Sequence, residues 1–200
     1  MVKKVFALLT VMVIFMAMSA FAADSNVASQ EDSPEVLERK KDVIILQIDN
    51  FAAISNGALT WIDLENKNVI PYIKDSRTMV PLRFLAEEMG ATVGYDEQTR
   101  GITVTLGATV MELWVDKSEY YINGQAFVMD CATEVVEGRT FVPVRFVSES
   151  LGKSVKWLDA ERMVVVAPIS APWDEDGSVE RAIMTEVRLA LSPIGRNSIR

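Results

Sequence analysis

Four aspartates are the residues of this chain whose positions suggest chemistry, and no histidine accompanies them. The 200-residue chain has 28 Asp and Glu residues, 20 Lys and Arg residues, one Cys and no His. Without an imidazole, Ser-His-Asp and Cys-His nucleophiles, His-ligated zinc or copper and a His proton shuttle are excluded. What remains is acid–base catalysis by a pair of carboxylates, calcium or magnesium bound by carboxylates, and plain binding. The carboxylates considered for that pair are Asp63, Asp96, Asp130 and Asp159.

The overall composition predicts a globular protein that does not bind nucleic acid. Half of the residues are hydrophobic and 24% are charged, as in ordinary folded domains. The formal net charge of −8 opposes binding to a phosphate backbone. The single cysteine, Cys131, allows no intramolecular disulfide and is expected to be a small buried side chain.

Residues 43–168 form a tandem duplication. The segment RTMVPLRF, which begins at Arg77, recurs 62 residues later as RTFVPVRF from Arg139. Upstream, the Asn-Gly pair at residue 56 recurs with an offset of 67, so the first copy carries five extra residues. We therefore define two repeats, residues 43–107 and 108–168, and expect two small cores that share a seam.

Each repeat has the signals of several short antiparallel strands and one short helix, an α+β pattern. The Asn-Gly pairs favour type I′ hairpin turns. Pro81 and Pro143 stand where proline begins a helix, and one apolar stripe follows each of them. Gly90 and Gly152 stand where a left-handed residue ends a helix.

The charged residues of the repeated motif have both a functional and a structural interpretation. Arg83 and Arg145, each four residues before a Glu, could form an anion clamp, but an exposed helix-surface ion pair is favoured. Arg77 and Arg139 are expected to bond local carbonyls or carboxylates and to hold a turn rather than a ligand.

Other motif residues also favour folding over chemistry. Asp63 and Asp130 are equivalent in the two repeats, and their turn positions favour Asx turns over catalysis. Phe84 and Phe146 lie off the apolar stripe of their helices, so we expect them to fill a second contact, at the sheet edge or at the seam. No catalytic residue, metal ligand or cofactor site is predicted.

Three tryptophans are candidates for contact with a ligand or partner. Trp61 and Trp114, with neighbouring tyrosines, could stack on the sugar rings of a cell-wall glycan, although strand aromatics are more often buried. Trp173 is the aromatic least tied to a strand, so that it could anchor a partner or pack back on the domain. The acidic segment that follows Trp173 does not have the spacing of an EF-hand calcium loop.

The repeated residues resemble the copper amine oxidase N-terminal-like, or stalk, domain. The resemblance rests on Arg-Thr-x-Val-Pro-x-Arg-Phe followed by Glu, Gly, Val, an aromatic residue and Asp. Tyr95-Asp96 fits this pattern, whereas the second copy inserts Leu158 between Trp157 and Asp159. The resemblance implies a small antiparallel sheet curled around one helix, in an accessory module of secreted or cell-surface bacterial proteins.

The copper chemistry of that family does not follow from the resemblance. It belongs to a different domain, which needs three His ligands and a Tyr preceded by Asn. This chain has no His, and none of its four tyrosines follows an Asn. No copper site and no quinone are expected.

The two ends of the chain carry export and docking signals. Residues 1–22 have the basic, apolar and Ala-x-Ala regions of a secretory signal peptide, so the mature chain would begin at Ala23 or Asp24; an uncleaved anchor is the alternative. Residues 23–42 are interpreted as a flexible linker. Residues 169–200 are expected to contain an acidic linker and an amphipathic helix from Ser178 to Leu191.

Together these patterns predict a non-catalytic scaffold or binding module, secreted or associated with a bacterial cell wall. Its expected partner is an envelope protein or a cell-wall polymer, and no membrane span remains after signal cleavage. A glycan- or peptidoglycan-binding module is the alternative, and a carboxylate-dependent hydrolase is the least favoured interpretation.

Overall fold

The computed structural model describes residues 32–192. The predicted signal peptide, the first part of the predicted linker and residues 193–200 lie outside the described residues. Within the described part, no helix is long and apolar enough to cross a membrane.

The fold is α+β, as predicted, with mostly antiparallel strands. Its helices are α1 (Pro34–Lys40), α2 (Leu82–Glu88), α3 (Val144–Ser150) and α4 (Ser178–Leu191). Its strands are β1 (Ile44–Gln47), β2 (Ala52–Ser55), β3 (Ala58–Trp61), β4 (Tyr72–Lys74), β5 (Arg77–Pro81), β6 (Thr92–Asp96), β7 (Gly101–Leu106), β8 (Thr109–Trp114), β9 (Glu119–Ile122), β10 (Gln125–Val128), β11 (Glu134–Val136), β12 (Arg139–Pro143), β13 (Lys153–Leu158) and β14 (Met163–Pro168).

Local sequence signals explain the hairpins and the ends of the central helices. Asn56-Gly57 and Asn123-Gly124 have positive φ at both positions, which a type I′ turn requires. Pro81 and Pro143 are N-cap residues with extended backbone, one position before the predicted first helical turn. The residues after α2 and α3 include Gly90 and Gly152, both with positive φ as predicted.

The strands form three antiparallel sheets. Sheet I has the order β13-β14-β1-β2-β3, and sheet II has the order β10-β9-β8-β7-β6. Sheet III has the order β11-β12-β5-β4. Sheets I and II each contain three strands of one repeat and two of the other, so that the repeats exchange strands.

The strand pairing follows the duplication. In sheet I, Ile44 pairs with Val166, and their equivalents Met111 and Val104 pair in sheet II. In sheet III, Val80 pairs with its own equivalent, Val142. The two repeats are therefore related by a pseudo-twofold relationship that passes between Val80 and Val142.

The repeats share one inner core, and the expectation of a separate core in each repeat is wrong. The inner core includes the equivalent residues Met79 and Phe141, both fully buried, and apolar residues of α2, α3 and all three sheets. The cause is the strand exchange, because the inner faces of both five-stranded sheets then cover the same helices and the same sheet III.

A second core lies on the outer face of sheet I. It contains Ile45, Val165 and the buried residues of α4, including Ile183 and Val187. The predicted helix from Ser178 to Leu191 is thus confirmed as α4, and its apolar stripe docks on the sheet.

The structure differs from the flexible-linker interpretation at residues 34–40. These residues form α1, which packs against α4 and contributes the ion pairs of Arg39 with Glu180 and of Lys40 with Glu186. Composition does not reveal this helix, because its order depends on partners more than 130 residues away in the chain.

Candidate functional site

The repeated Arg-Asp motif forms two crossed ion pairs between the repeats. Arg77 of the first repeat contacts Asp130 of the second, with Nε 2.7 Å from Oδ2. Reciprocally, Arg139 of the second repeat contacts Asp63 of the first, with Nε 2.6 Å from Oδ2. Each arginine also donates to the backbone carbonyl of the residue before it, as predicted. The carboxylate that each arginine contacts, however, belongs to the other repeat and is not local in the sequence.

These contacts favour the ionised form of both carboxylates. Burial alone would raise the pKa of Asp63, but hydrogen bonds from Arg139 and from the amides of Glu65 and Asn66 leave it lowered. The hydrogen bond from Arg77 lowers the pKa of Asp130. The Asp63 side chain is 10% exposed and the Asp130 side chain is 58% exposed, so the two equivalent pairs differ in strength.

The candidate carboxylates also have local structural partners. Asp63 accepts two backbone amide hydrogens in an Asx turn, as predicted, whereas the Asp130 side chain accepts from Arg77. Asp96 accepts hydrogen bonds from the hydroxyl of Thr99 and the amide of Gln98, which lower its pKa. Asp159 accepts from the indole of Trp157. Among residues 32–192, no group of three or more metal-ligating side chains is arranged around a common point.

Arg83 and Arg145 form the expected ion pairs on helix surfaces. Their Nε atoms lie 3.8 and 3.7 Å from carboxylate oxygens of Glu87 and Glu149, four residues later. All four side chains are more than half exposed. Such pairs contribute little to stability, and these residues line the rims of two open grooves.

The two grooves are equivalent under the duplication. Groove 1, of about 780 Å³, lies between β3, β6, β11 and α2, and groove 2, of about 850 Å³, lies between β10, β13, β4 and α3. Fifteen of the sixteen lining positions of groove 2 have their repeat equivalents in groove 1, among them Trp61 with Val128, Asp63 with Asp130, Arg83 with Arg145, Phe84 with Phe146, Tyr95 with Trp157, Val135 with Ile73, and Arg139 with Arg77.

Exposed apolar side chains concentrate at these grooves. Trp61, Leu64, Tyr95 and Val135 line groove 1, and all four are more than 40% exposed. Ile73 and Val128 are the exposed apolar residues of groove 2. Exposed apolar side chains bordered by charged residues are typical of an interaction surface.

Phe84 and Phe146 lie in the walls of the two grooves, whose other walls include edge strands of the three sheets. Phe84 is 9% exposed and belongs to the inner core. Phe146 packs edge-on against Tyr120 of its own repeat, with ring centroids 4.0 Å apart. Both rings therefore join a central helix to the inner face of a sheet.

The grooves differ because the first repeat carries five extra residues. The loop after β3 places Leu64 and Glu65 at the rim of groove 1 and brings Lys67 over the stacked rings of Phe51 and Trp61. Groove 1 is lined by four carboxylates against two arginines, whereas groove 2 has two of each. Groove 1 is thus the more acidic of the two, and its aromatic residues Trp61 and Tyr95 are the exposed ones.

The three candidate tryptophans do not share a surface. Trp61 lies on β3 of sheet I, and Trp114 lies on β8 of sheet II, edge-on to Tyr121. Trp173 is only 6% exposed and lies under the guanidinium of Arg39, 5.2 Å from the ring centroid. Trp173 therefore packs back on the domain. The hypothesis that it anchors a partner is wrong, because α1 and α4 cover it.

A polar cluster in sheet III escaped the sequence comparison. Glu134 accepts hydrogen bonds from the Tyr72 hydroxyl, at 2.5 Å, and from Lys74 Nζ, at 2.6 Å, which lower the pKa of Glu134. Tyr72 and Glu134 occupy equivalent positions of the two repeats. Because the residue types differ, a search for identical residues in the two repeats does not find this pair. Cys131 is buried, as expected, and burial raises the pKa of its thiol.

The comparison with protein families agrees with the architecture. A model of the copper amine oxidase N-terminal domain matches residues 62–166, more than half of the chain. The matched range begins after β3 and includes sheets II and III and most of β14. No curated protein matches the chain. The domain that this model describes is the non-catalytic N-terminal part of amine oxidases, and the present chain belongs to the copper amine oxidase N-terminal domain family.

Proposed function

We propose that this protein is a non-catalytic binding module that is exported to the bacterial cell envelope and holds another envelope component there. The observation that carries the proposal is the concentration of exposed apolar side chains at two equivalent grooves. The motif arginines and aspartates support it, because ion pairs between the repeats already occupy their charges.

Groove 1 is the favoured binding surface. Trp61 and Tyr95 present exposed aromatic surface there, and large aromatic side chains are the residues that most often anchor a partner. The five additional residues of the first repeat extend this rim, although the second repeat completes an equivalent sheet without them. Because the fold does not need these five residues, we attribute them to binding.

A retention experiment tests the proposal. The full chain is expressed in a bacterium, and the mature N-terminus is read by mass spectrometry, which should find Ala23 or Asp24. The purified protein is then mixed with isolated cell envelopes and with sacculi stripped of protein. We expect retention that Trp61→Ala and Tyr95→Ala lower at least about fivefold.

Two controls separate the alternatives. Trp114→Ala, on the open face of sheet II, is expected to leave retention unchanged. Retention on stripped sacculi would favour the glycan-binding interpretation, and retention only on envelopes that keep their proteins would favour a protein partner. An intact Met1, or retention equal in every variant, would contradict the proposal.

A further inference from the structure

Among the six edge strands of the described residues, two exposed strands lack protection against strand pairing. Natural sheets protect their edges with charged residues, prolines or bulges. Four of the six edge strands contain a charge: Lys74 in β4, Asp96 in β6, Glu134 in β11, and Lys153 and Lys156 in β13. The remaining edges, β3 (ALTW) and β10 (QAFV), have neither a charge nor a proline.

One of the two residues of β3 with free backbone groups, Trp61, lines groove 1. The hydrogen bond from the Ile62 amide to the Phe51 carbonyl fixes the phase of the β2–β3 ladder. Because paired and unpaired residues alternate along an antiparallel ladder, the amide and carbonyl groups of Leu59 and Trp61 point away from β2. Residues spaced in this way are what an added strand bonds to.

The charge of groove 1 selects the occupant. Asp63 and Glu65 lie against Arg139, whereas Glu87 is 3.8 Å from Arg83 and Glu88 has no ion-pair partner within the described residues. The lining of groove 1 therefore has an excess of two carboxylates, which Lys67 over Trp61 reduces to one, and the lining of the equivalent groove beside β10 has none. The apolar rim of Tyr95 and Val135 can hold the intervening apolar side chains.

We propose that β3 is extended by a strand from a partner protein, an extended segment of alternating basic and apolar residues whose basic side chains lie over Glu87 and Glu88. This inference rests on the proposed function and names the chemical class of the partner. Backbone hydrogen bonds to Leu59 and Trp61 would supply affinity, and groove 1 would supply the preference for positive charge.

The experiment uses the full chain, labelled with ¹⁵N, and the peptide acetyl-Lys-Val-Lys-Val-Lys-Val-amide. We expect the peptide to shift the amide signals of Leu59 and Trp61 and to slow their hydrogen exchange at least about tenfold. Glu87→Gln combined with Glu88→Gln should weaken binding about three- to tenfold, as expected for two exposed charge pairs. The matched control Glu149→Gln, in groove 2, should bind as the wild type does.

Several results would overturn the inference. These are no binding, equal binding of a peptide with Glu in place of Lys, equal binding of a peptide methylated on alternate backbone nitrogens, or shifts centred on β10. The same amide shifts produced by a chitin oligosaccharide would assign groove 1 to a glycan. A concentration-dependent dimer in sedimentation that Leu59→Lys abolishes would assign β3 to a second copy of this chain.

The outcome is separable from that of the proposed function. If retention on envelopes depends on Trp61 but the basic peptide does not bind, the binding module remains and strand addition is wrong. If the peptide binds at β3 but retention is absent, the cell-envelope role is wrong and the peptide site remains.

Discussion

Sheets I and II have equivalent strands and equivalent register, yet their outer faces are opposites. On sheet I the outer face presents Ile45, Val165 and other apolar residues, which α1 and α4 cover. At the equivalent positions on sheet II, Glu112 and Thr103 are exposed. The comparison shows that the apolar inner faces are common to both sheets. The polarity of each outer face depends on whether helices or solvent cover it.

The two sheets also differ in how the chain builds them. Sheet II is a continuous meander from β6 to β10, whereas sheet I joins β13 and β14 to β1–β3 from the other end of the chain. The covering helices come from the same two ends. Sheet I is therefore the sheet whose strand pairing and helix packing join segments that are far apart in the sequence.

Exchanging the equivalent outer residues should produce the largest effect. Ile45→Glu buries an unpaired charge beneath α4 and should lower the free energy of unfolding by about 4 kcal/mol or more. The reverse change, Glu112→Ile, lies on an exposed surface and should alter it by no more than about 0.5 kcal/mol. Urea denaturation followed by tryptophan fluorescence measures both, and equal effects would refute the distinction between the two faces.

The two crossed ion pairs should also differ in their contribution to stability, with the more buried pair contributing more. Asp63→Ala removes a largely buried carboxylate that accepts from Arg139 and from two backbone amides, so we expect a loss of about 2–3 kcal/mol. Asp130→Ala removes an exposed partner and should cost about 1 kcal/mol or less. Thermal unfolding of the two variants gives the order, and a larger loss for Asp130→Ala would contradict it.

A third exchange concerns the central helices. The hydroxyl of Ser148 is fully buried and has no hydrogen-bond partner among residues 32–192, and its equivalent in α2 is Ala86. Ser148→Ala should therefore stabilise the protein by about 1 kcal/mol, because an unsatisfied polar group is removed. Ala86→Ser should destabilise it by about 1–3 kcal/mol. A destabilised Ser148→Ala would mean that the hydroxyl has a partner in solution.

Acidification should weaken the contacts between the repeats. The pKa values of Asp63, Asp130 and Glu134 are lowered in the folded protein by their cationic or amide partners. A carboxyl with a lowered folded pKa stabilises the fold above its unfolded value, about 4, and this contribution is lost as the pH falls through the folded value. Denaturation midpoints should therefore drop below about pH 4, less steeply in an Asp63→Asn, Asp130→Asn chain. Parallel profiles would contradict this assignment.

The smallest effects are expected on the helix surfaces, where the two repeats are alike. Arg83→Ala and Arg145→Ala each break an exposed pair at nearly 4 Å, so each should change stability by about 0.5 kcal/mol or less. Calorimetry at low and moderate salt checks both. A loss above about 1 kcal/mol in either variant would mean that the arginine has a structural role beyond this pair.

Much of the secondary structure could be predicted because its causes are local. The Asn-Gly turns follow from the positive φ that a type I′ hairpin needs, and the α4 boundaries follow from apolar spacing with Pro193 beyond. The ion pair of Arg83 with Glu87 follows from one helical turn. The duplication, read from identities alone, also predicted which residues would be equivalent.

The candidate site was predicted less well, because its contacts lie between distant segments. Arg139 and Asp63 are 76 residues apart, and nothing in either repeat states that its arginine bonds to the aspartate of the other repeat. The position of Trp173 next to a proline and outside the strands suggests exposure. In the structure, Arg39 covers its ring, from more than 130 residues away in the sequence. The grooves arise only when four elements from both repeats are assembled.

The sequence by itself indicated the recurrent motif, the Asn-Gly turns and the helices after Pro81, after Pro143 and from Ser178, since these depend on residue type and on neighbours within a few positions. The tertiary structure decided that the repeats exchange strands, share one core and cross their ion pairs. The physical reason is that equivalent strands have the same hydrophobic pattern and can pair within a repeat or between repeats. The choice rests on which arrangement buries both faces of sheet I and the inner face of sheet II together.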